Sequence, residues 1–150
     1  MQYWLVKSEP DCYSIQDLQR EKIGSWTDVR SYQARNFLRV MKKGDLLLFY
    51  HSSCAIPGVV GVAKVVKEAY PDPTQFDPNS EGYEKASTLE NPRWLAVDVT
   101  LVDIFKETFT LSAIKADKKF TGMEVTKQGS RLSVQPVSEV HFKRIIELTK

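Results

Sequence analysis

The stretch Gly44–Val66, GDLLLFYHSSCAIPGVVGVAKVV, carries the densest strand signal in the chain and its most unusual cluster of polar side chains. Leu46 to Tyr50 is a short continuous apolar run, bounded by Gly44-Asp45 before it and by serine, proline and glycine after it. Such a run reads as a strand buried on both faces. Val59 to Val66 reads the same way. Pro57-Gly58 is a turn signal, so the two runs form a predicted hairpin whose tip carries Tyr50, His51, Ser52 and Ser53. Two readings fit that tip. Its polar groups end a strand in solvent, as loops commonly do, or a ring, an imidazole and two hydroxyls beside buried strands make a pocket for a flat ligand.

Upstream, Gln2–Lys7 (QYWLVK) reads as a first strand, stopped by Pro10, which biases Glu9 towards an extended backbone. Ser14 and Asp17 have capping-box spacing for a short helix ending near Lys22. Gly24–Asp28 reads as a loop that leaves the Trp26 indole without a periodic element to bury it. Ser31 is an N-cap for a helix from Tyr32 to Met41, with Ala34, Phe37, Leu38 and Met41 inward and Arg35 and Arg39 on the other side.

Downstream, Tyr70 to Pro92 is a long polar stretch with four prolines, and a loop of that length is usually functional or mobile. Trp94–Phe105 resumes a strand. Thr110 caps a short helix through Ile114, and Met123–Gln135 suggests two short strands about Gly129-Ser130. Ser138 caps a last helix with Phe142, Ile145, Ile146 and Thr149 inward and Lys143 and Arg144 in water. Five or six strands interleaved with short helices, without βαβ alternation, predict an α+β domain around a small, strongly bent sheet or barrel.

The totals bound the function. With 150 residues, 42% of them hydrophobic, the chain accommodates one domain over 1–150. Its net charge of +2 permits nucleic-acid contact without demanding it. The first thirty residues lack a signal-peptide pattern, and no apolar run approaches the ~20 residues of a membrane helix. The expectation is a cytoplasmic protein, nuclear in a nucleated cell, with no membrane partner. Cys12, Cys54 and two histidines match no metal spacing, so neither metal nor cofactor is expected.

A catalytic reading would recruit His51 as base, Ser52 or Cys54 as nucleophile and Glu9 or Asp98 as the orienting carboxylate. Neighbours on a strand point to opposite faces, and no nucleophile-elbow motif is present, so the expectation is a binding module and not an enzyme. A nucleobase would stack on rings drawn from Trp26, Tyr32, Tyr50 and Trp94. Its edge would be read by Ser8, Glu9, Asn36, His51 and Ser52.

The blocks YWLVKSEP (Tyr3–Pro10), Trp26, VRSYQARNFL (Val29–Leu38) and FYHS (Phe49–Ser52) resemble the EVE domain family. Further matches are Pro57-Gly58, EAYPD (Glu68–Asp72), TQFD (Thr74–Asp77), PRW (Pro92–Trp94), VDV (Val97–Val99) and RLSVQP (Arg131–Pro136), so the resemblance spans essentially the whole chain. It implies a PUA-like β-barrel with flanking helices, related to YTH readers of methylated adenine in RNA. It also implies non-catalytic recognition of a modified base, particularly a modified cytosine in DNA, by extrusion of the base into a pocket. The alternative is a PUA-type module for structured or modified RNA.

Carried over by position, Trp26 and Tyr50 are the ring contacts, with Ser8, His51 and Ser52 around the base edge. Arg30, Tyr32, Arg35, Asn36 and Arg39 lie at the rim or near the nucleic-acid backbone. Glu9 and Pro10 shape the loop above, and Trp94 and Asp98 are pocket wall or core. Ser31 stands where relatives often have Asn, and Cys54-Ala55-Ile56 is less polar than the family's turn. The implied partners are DNA or RNA carrying a modified base, and a separate nuclease or modification-system protein.

Overall fold

The computed structural model describes residues 1–150. In chain order the elements are β1 (Tyr3–Ser8), α1 (Ile15–Glu21), β2 (Ile23–Trp26), α2 (Tyr32–Val40), β3 (Leu46–His51), β4 (Gly58–Pro71), β5 (Leu95–Thr110), α3 (Leu111–Ala116), β6 (Val134–Val137) and α4 (Glu139–Leu148). Short 3₁₀ turns occupy Pro73–Phe76, Lys118–Phe120 and Glu124–Thr126. The six strands form one sheet in the order β2-β5-β4-β3-β1-β6.

The apolar run in β3 is explained by its place in the middle of this sheet, antiparallel to β4 and parallel to β1. Leu47 and Phe49 face one core with Trp4, Val6, Leu38 and Trp26. Leu48 and Tyr50 face the other, with Leu5, Val59, Phe105 and Phe142. Two-sided burial leaves no polar face to alternate with, hence the unbroken hydrophobic string. The parallel β1–β3 pair requires a crossover, and α1, β2 and α2 provide it.

The expected barrel is not closed. β2 and β6 end the strand order as free edges, so the structure is an open six-stranded sheet with four helices. Both edges have four residues, and β6 contains Pro136, which has no N–H to offer a further strand. The pairing of β4 with β5 shifts register repeatedly along their length, irregularities of the kind that bend and twist a strand locally.

Three local readings change. Gly24–Trp26 belongs to β2, paired with β5, and Trp26 is buried; four residues are too short for a visible period. Met123 and Val125 both bury their side chains at strand-like spacing, yet the backbone there makes a 3₁₀ turn, leaving only β6 of the two expected strands. Arg144 is half-buried and bridges to Asp117 at 2.7 Å, so only Lys143 stands in water. The helix caps at Ser14, Ser31, Thr110 and Ser138 all form as expected. No helix is long and apolar enough to cross a membrane.

Asp45 fastens the start of β1 to the turn before β3. Its buried carboxylate accepts hydrogen bonds from the Trp4 indole (3.0 Å), Lys42 N (3.0 Å) and Gln2 N (3.1 Å). Burial alone would push its pKa up, but these donors hold it below the usual carboxylate value. Asp45→Ala strands those donors and is expected to cost about 3 kcal/mol. The check is the urea midpoint at unchanged m-value, which should fall clearly below wild type.

Candidate functional site

A cleft of about 360 Å³ opens where the C-terminal ends of β1 and β2 meet the turn after β1 and the loop before α2. That volume is in the range of small-ligand pockets. Trp26, Tyr13 and Val29 form its apolar wall, and Ser8, Ser25, Thr27, Asp28 and Ser133 bring polar groups to it, with Lys7 and Cys12 alongside.

Trp26 is held by two edge-to-face contacts, to Phe49 (5.3 Å, 89°) and to Tyr13 (6.2 Å, 85°), and only 7% of its surface is exposed. The sealed side-chain polar atoms without a hydrogen bond are Tyr13 Oη and Trp94 Nε1. The Trp26 N–H has no protein acceptor and is not sealed, so it is a free donor on a residue that lines the cleft. Burial pushes the Tyr13 hydroxyl pKa up. Gly24 makes room for that hydroxyl, since a Cβ there would lie 2.3 Å from it. The turn after β1 is closed locally. Glu9 O accepts from Cys12 N (2.9 Å) and Tyr13 N (2.8 Å), and Ser8 Oγ donates to Tyr13 O (2.6 Å).

The opposite lip, Thr27–Arg30, is fixed by a buried carboxylate. Asp72, fully enclosed, accepts from Asp28 N (2.8 Å), Arg30 Nη1 (3.0 Å), Thr74 N (2.8 Å) and Thr74 Oγ1 (2.7 Å). Burial opposes its charge, but these donors outweigh it and keep the pKa below the usual value. Asp28 has φ 64°, a left-handed backbone that aspartate tolerates better than most residues. Arg30 also donates to Thr74 Oγ1 (2.9 Å) and Gly82 O (2.7 Å) and lies 5.5 Å from the Trp94 ring centroid.

The mouth is electrostatically uneven. Partial desolvation and the carboxylates of Glu9, Asp11 and Glu81 raise the Cys12 thiol pKa, so one side is acidic. On the other side exposed Arg131 stands two residues before Ser133, while Lys7 Nζ turns to Ser130 O (3.4 Å) and to the Tyr50 ring (5.8 Å) on the second core's side of the sheet.

Of the expected base-pocket residues, the structure brings only Ser8 and Trp26 to this cleft. Tyr50 is buried in the second core, on the other face of β3. His51 stacks edge-on against Phe49, and its Nε2 accepts the Ile15 N–H at 3.1 Å, which caps the first turn of α1. Ser52 N donates to Ser8 O (3.0 Å) and extends the β1–β3 pairing. The expected rim divides similarly. Glu9 and Pro10 flank the mouth in the turn, Glu9 Oε2 lying 3.7 Å from Cys12 Sγ. Arg30, instead of reaching outward, is locked to Asp72. Tyr32 stacks on Trp94 (5.0 Å, 26°), and Arg35 covers Tyr32 at 4.8 Å. Asn36 Oδ1 accepts from Arg35 (2.8 Å) and Arg39 (3.5 Å), and Asp98 accepts from the Tyr70 hydroxyl. Sequence reasoning missed Tyr13, Asp28 and Ser133. Asp28 sits two residues from Trp26, which was the available signal, whereas Ser133 reaches the cleft through β1–β6 pairing.

The family profile of the EVE domain matches residues 2–148. Thymocyte nuclear protein 1 of Gallus gallus is 44% identical, with 97% of this chain and 68% of the relative aligned; the Homo sapiens protein is 42% identical, with 97% and 73% aligned. A crystal structure from Pseudomonas syringae superposes with a TM-score of 0.95 at 48% identity, covering 99% of each chain. The human THYN1 protein in complex with DNA containing 5-methylcytosine superposes at 0.90 with 39% identity, covering 100% of this chain and 98% of that one. The YTH domain of Zygosaccharomyces rouxii MRB1, at 16% identity and a TM-score of 0.58, shares the fold.

Burial lowers the His51 pKa below its ordinary 6.5, and only the neutral ring can accept the Ile15 N–H. The unfolded chain therefore binds the proton more tightly. The stability tied to this contact is present above about pH 6.5 and declines as pH falls toward the depressed folded value. Asp17, Asp45, Asp72, Asp117 and Glu139 are all held below their ordinary values and titrate lower still. Thermal melts should therefore show a Tm drop for wild type between about pH 7 and pH 5 that is flattened in His51→Gln. Equal slopes would remove His51 from this role.

Proposed function

The chain belongs to the EVE domain family, and from that membership we propose that it reads a modified base, binding DNA that contains 5-methylcytosine through the Trp26 cleft. The supporting observation is a base-sized cleft around Trp26 in a chain that aligns end to end with a protein bound to such DNA. In this reading residues 1–150 act as one domain, and the base leaves its stack to enter the cleft, which costs least for an unpaired base. Trp26 and Tyr13 form the walls against which the base settles. The exposed part of Trp26 is small, so it contributes its edge and its N–H more than a free face.

Phosphates run along the side of exposed Arg131 and avoid the side of Glu9, Asp11 and Glu81, which repels them. Arg30 acts as a positioning residue, and Ser8 reaches the base through its hydroxyl oxygen. The proposal assigns no covalent step to the cleft, so any chemistry on the bound nucleic acid falls to a separate nuclease or modification enzyme.

A buried methyl adds about 0.8 kcal/mol, or about fourfold in affinity. Fluorescence anisotropy at fixed salt should show that preference for a single strand with 5-methylcytosine over one with cytosine. Trp26→Phe should weaken binding and reduce the preference, while Tyr32→Ala leaves both unchanged. Arg131→Ala should lower the salt slope by about 1 without changing the preference. Equal affinity for the two strands sinks the proposal, and tighter, modification-blind binding of structured RNA would replace it with the RNA-module reading.

A further inference from the structure

We infer that Asp28 selects the base by accepting a hydrogen bond from its exocyclic amine, which makes the cleft specific for amino-bearing bases over their oxo counterparts. The inference rests on the modified-base reading and adds an edge-reading residue to it. Three observations on one short loop carry it.

The first is placement. Asp28 lines the cleft two residues after Trp26, and its side chain is 57% exposed, so the carboxylate is reachable by a ligand. The second is how firmly it is held. Its N–H is fixed to buried Asp72 at 2.8 Å, and its φ of 64° turns the loop so that residue 28 edges the cleft instead of continuing β2. Oδ2 accepts from Thr27 Oγ1 at 3.1 Å, Oδ1 lies 3.1 Å from Thr74 Oγ1, whose single hydrogen goes to Asp72, and Arg30 Nη2 stands 3.8 Å from Oδ1. These contacts orient the carboxylate and compensate its charge without using its full acceptor capacity of about four lone pairs.

The third is the complementary donor. Trp26 lines the same cleft with an N–H that is neither sealed nor taken by a protein acceptor, so in this reading a ligand edge meets an acceptor from Asp28 and a donor from Trp26. Cytosine and 5-methylcytosine present a donor amine at C4 beside acceptors at N3 and O2. Thymine presents an acceptor at C4 and a donor at N3. A carboxylate accepts only, so it pairs with the amine and repels the thymine O4. The Trp26 N–H suits O2 of either base and does not distinguish them. Asp28 therefore reads the C4 position, and the apolar wall reads the methyl at C5.

5-Methylcytosine and thymine share the methyl group and differ at C4 and N3, which gives a clean test. Three single strands identical except for cytosine, 5-methylcytosine or thymine at one position are titrated into wild type, Asp28→Asn and Asp28→Gly at one salt concentration. Asn and Gly both tolerate the left-handed backbone, so both variants are expected to melt within a few degrees of wild type. Wild type should prefer 5-methylcytosine to thymine by roughly tenfold. Asp28→Asn, whose amide can also donate to the thymine O4, should bring that ratio near one while leaving the preference for 5-methylcytosine over cytosine in place. Asp28→Gly should lose the amine discrimination too. A wild type that binds 5-methylcytosine and thymine alike, or a ratio unchanged in both variants, overturns the inference while the methyl preference stands. Equal binding of cytosine and 5-methylcytosine instead defeats the modified-base reading itself.

Discussion

The buried carboxylate of Asp72 is the constraint on which the architecture around the cleft depends. A fully enclosed charge persists only when it is paired and hydrogen-bonded, and Asp72 meets that condition with donors from three separate places: the Asp28 backbone, the Arg30 guanidinium and Thr74. Removing one partner from such a pair typically costs about 3–5 kcal/mol, far more than an exposed ion pair contributes. The loop from Trp26 to Arg30 has no regular hydrogen bonding of its own beyond β2, so this pairing is what gives the cleft a fixed lip. It also orients Arg30 to cover Trp94, which in turn stacks with Tyr32 at the start of α2.

The same node explains how a long irregular segment between β4 and β5 stays ordered. Gln75 is fully buried, and its amide nitrogen donates to Asp72 O (2.8 Å) and Trp94 O (2.7 Å), while its oxygen accepts from Trp94 N (3.0 Å) and Arg93 N (3.1 Å). One side chain thus closes the ends of the segment with four hydrogen bonds, substituting for a strand ladder. The aromatic ladder of Arg30, Trp94, Tyr32 and Arg35 packs outside this closure. Tyr32 and Trp94, ring candidates in the sequence, pack there against each other and against Arg35 and Arg30.

Much of the framework was legible because its signals are local. Ser14, Ser31, Thr110 and Ser138 each accept a backbone N–H at a helix start, a requirement imposed by the first turn itself. The central hairpin was equally clear from its apolar runs. The candidate site was harder because it depends on which side of a strand a residue faces. Alternation puts Phe49 and His51 on the Trp26 side of β3 and Tyr50 on the other, so a cluster contiguous in sequence is divided in space. Trp26, read in the sequence as a loop residue, lines the cleft from the end of β2, whose four residues offer too little pattern to read. Asp28, Tyr13 and Ser133 meet only through the pairing of distant strands and the closure at Asp72, which no local pattern encodes.

The most direct test of this account is a ¹H–¹⁵N NMR titration of the protein with a short single strand carrying 5-methylcytosine. The account predicts that the Trp26 indole N–H shifts together with the backbone amides of Ser25 to Val29 and Ser133, while the Tyr32 and Trp94 signals stay nearly still. Perturbations centred on Tyr32, Trp94 and Arg35, with the Trp26 indole unmoved, would contradict it and relocate the binding surface to the aromatic ladder beside α2.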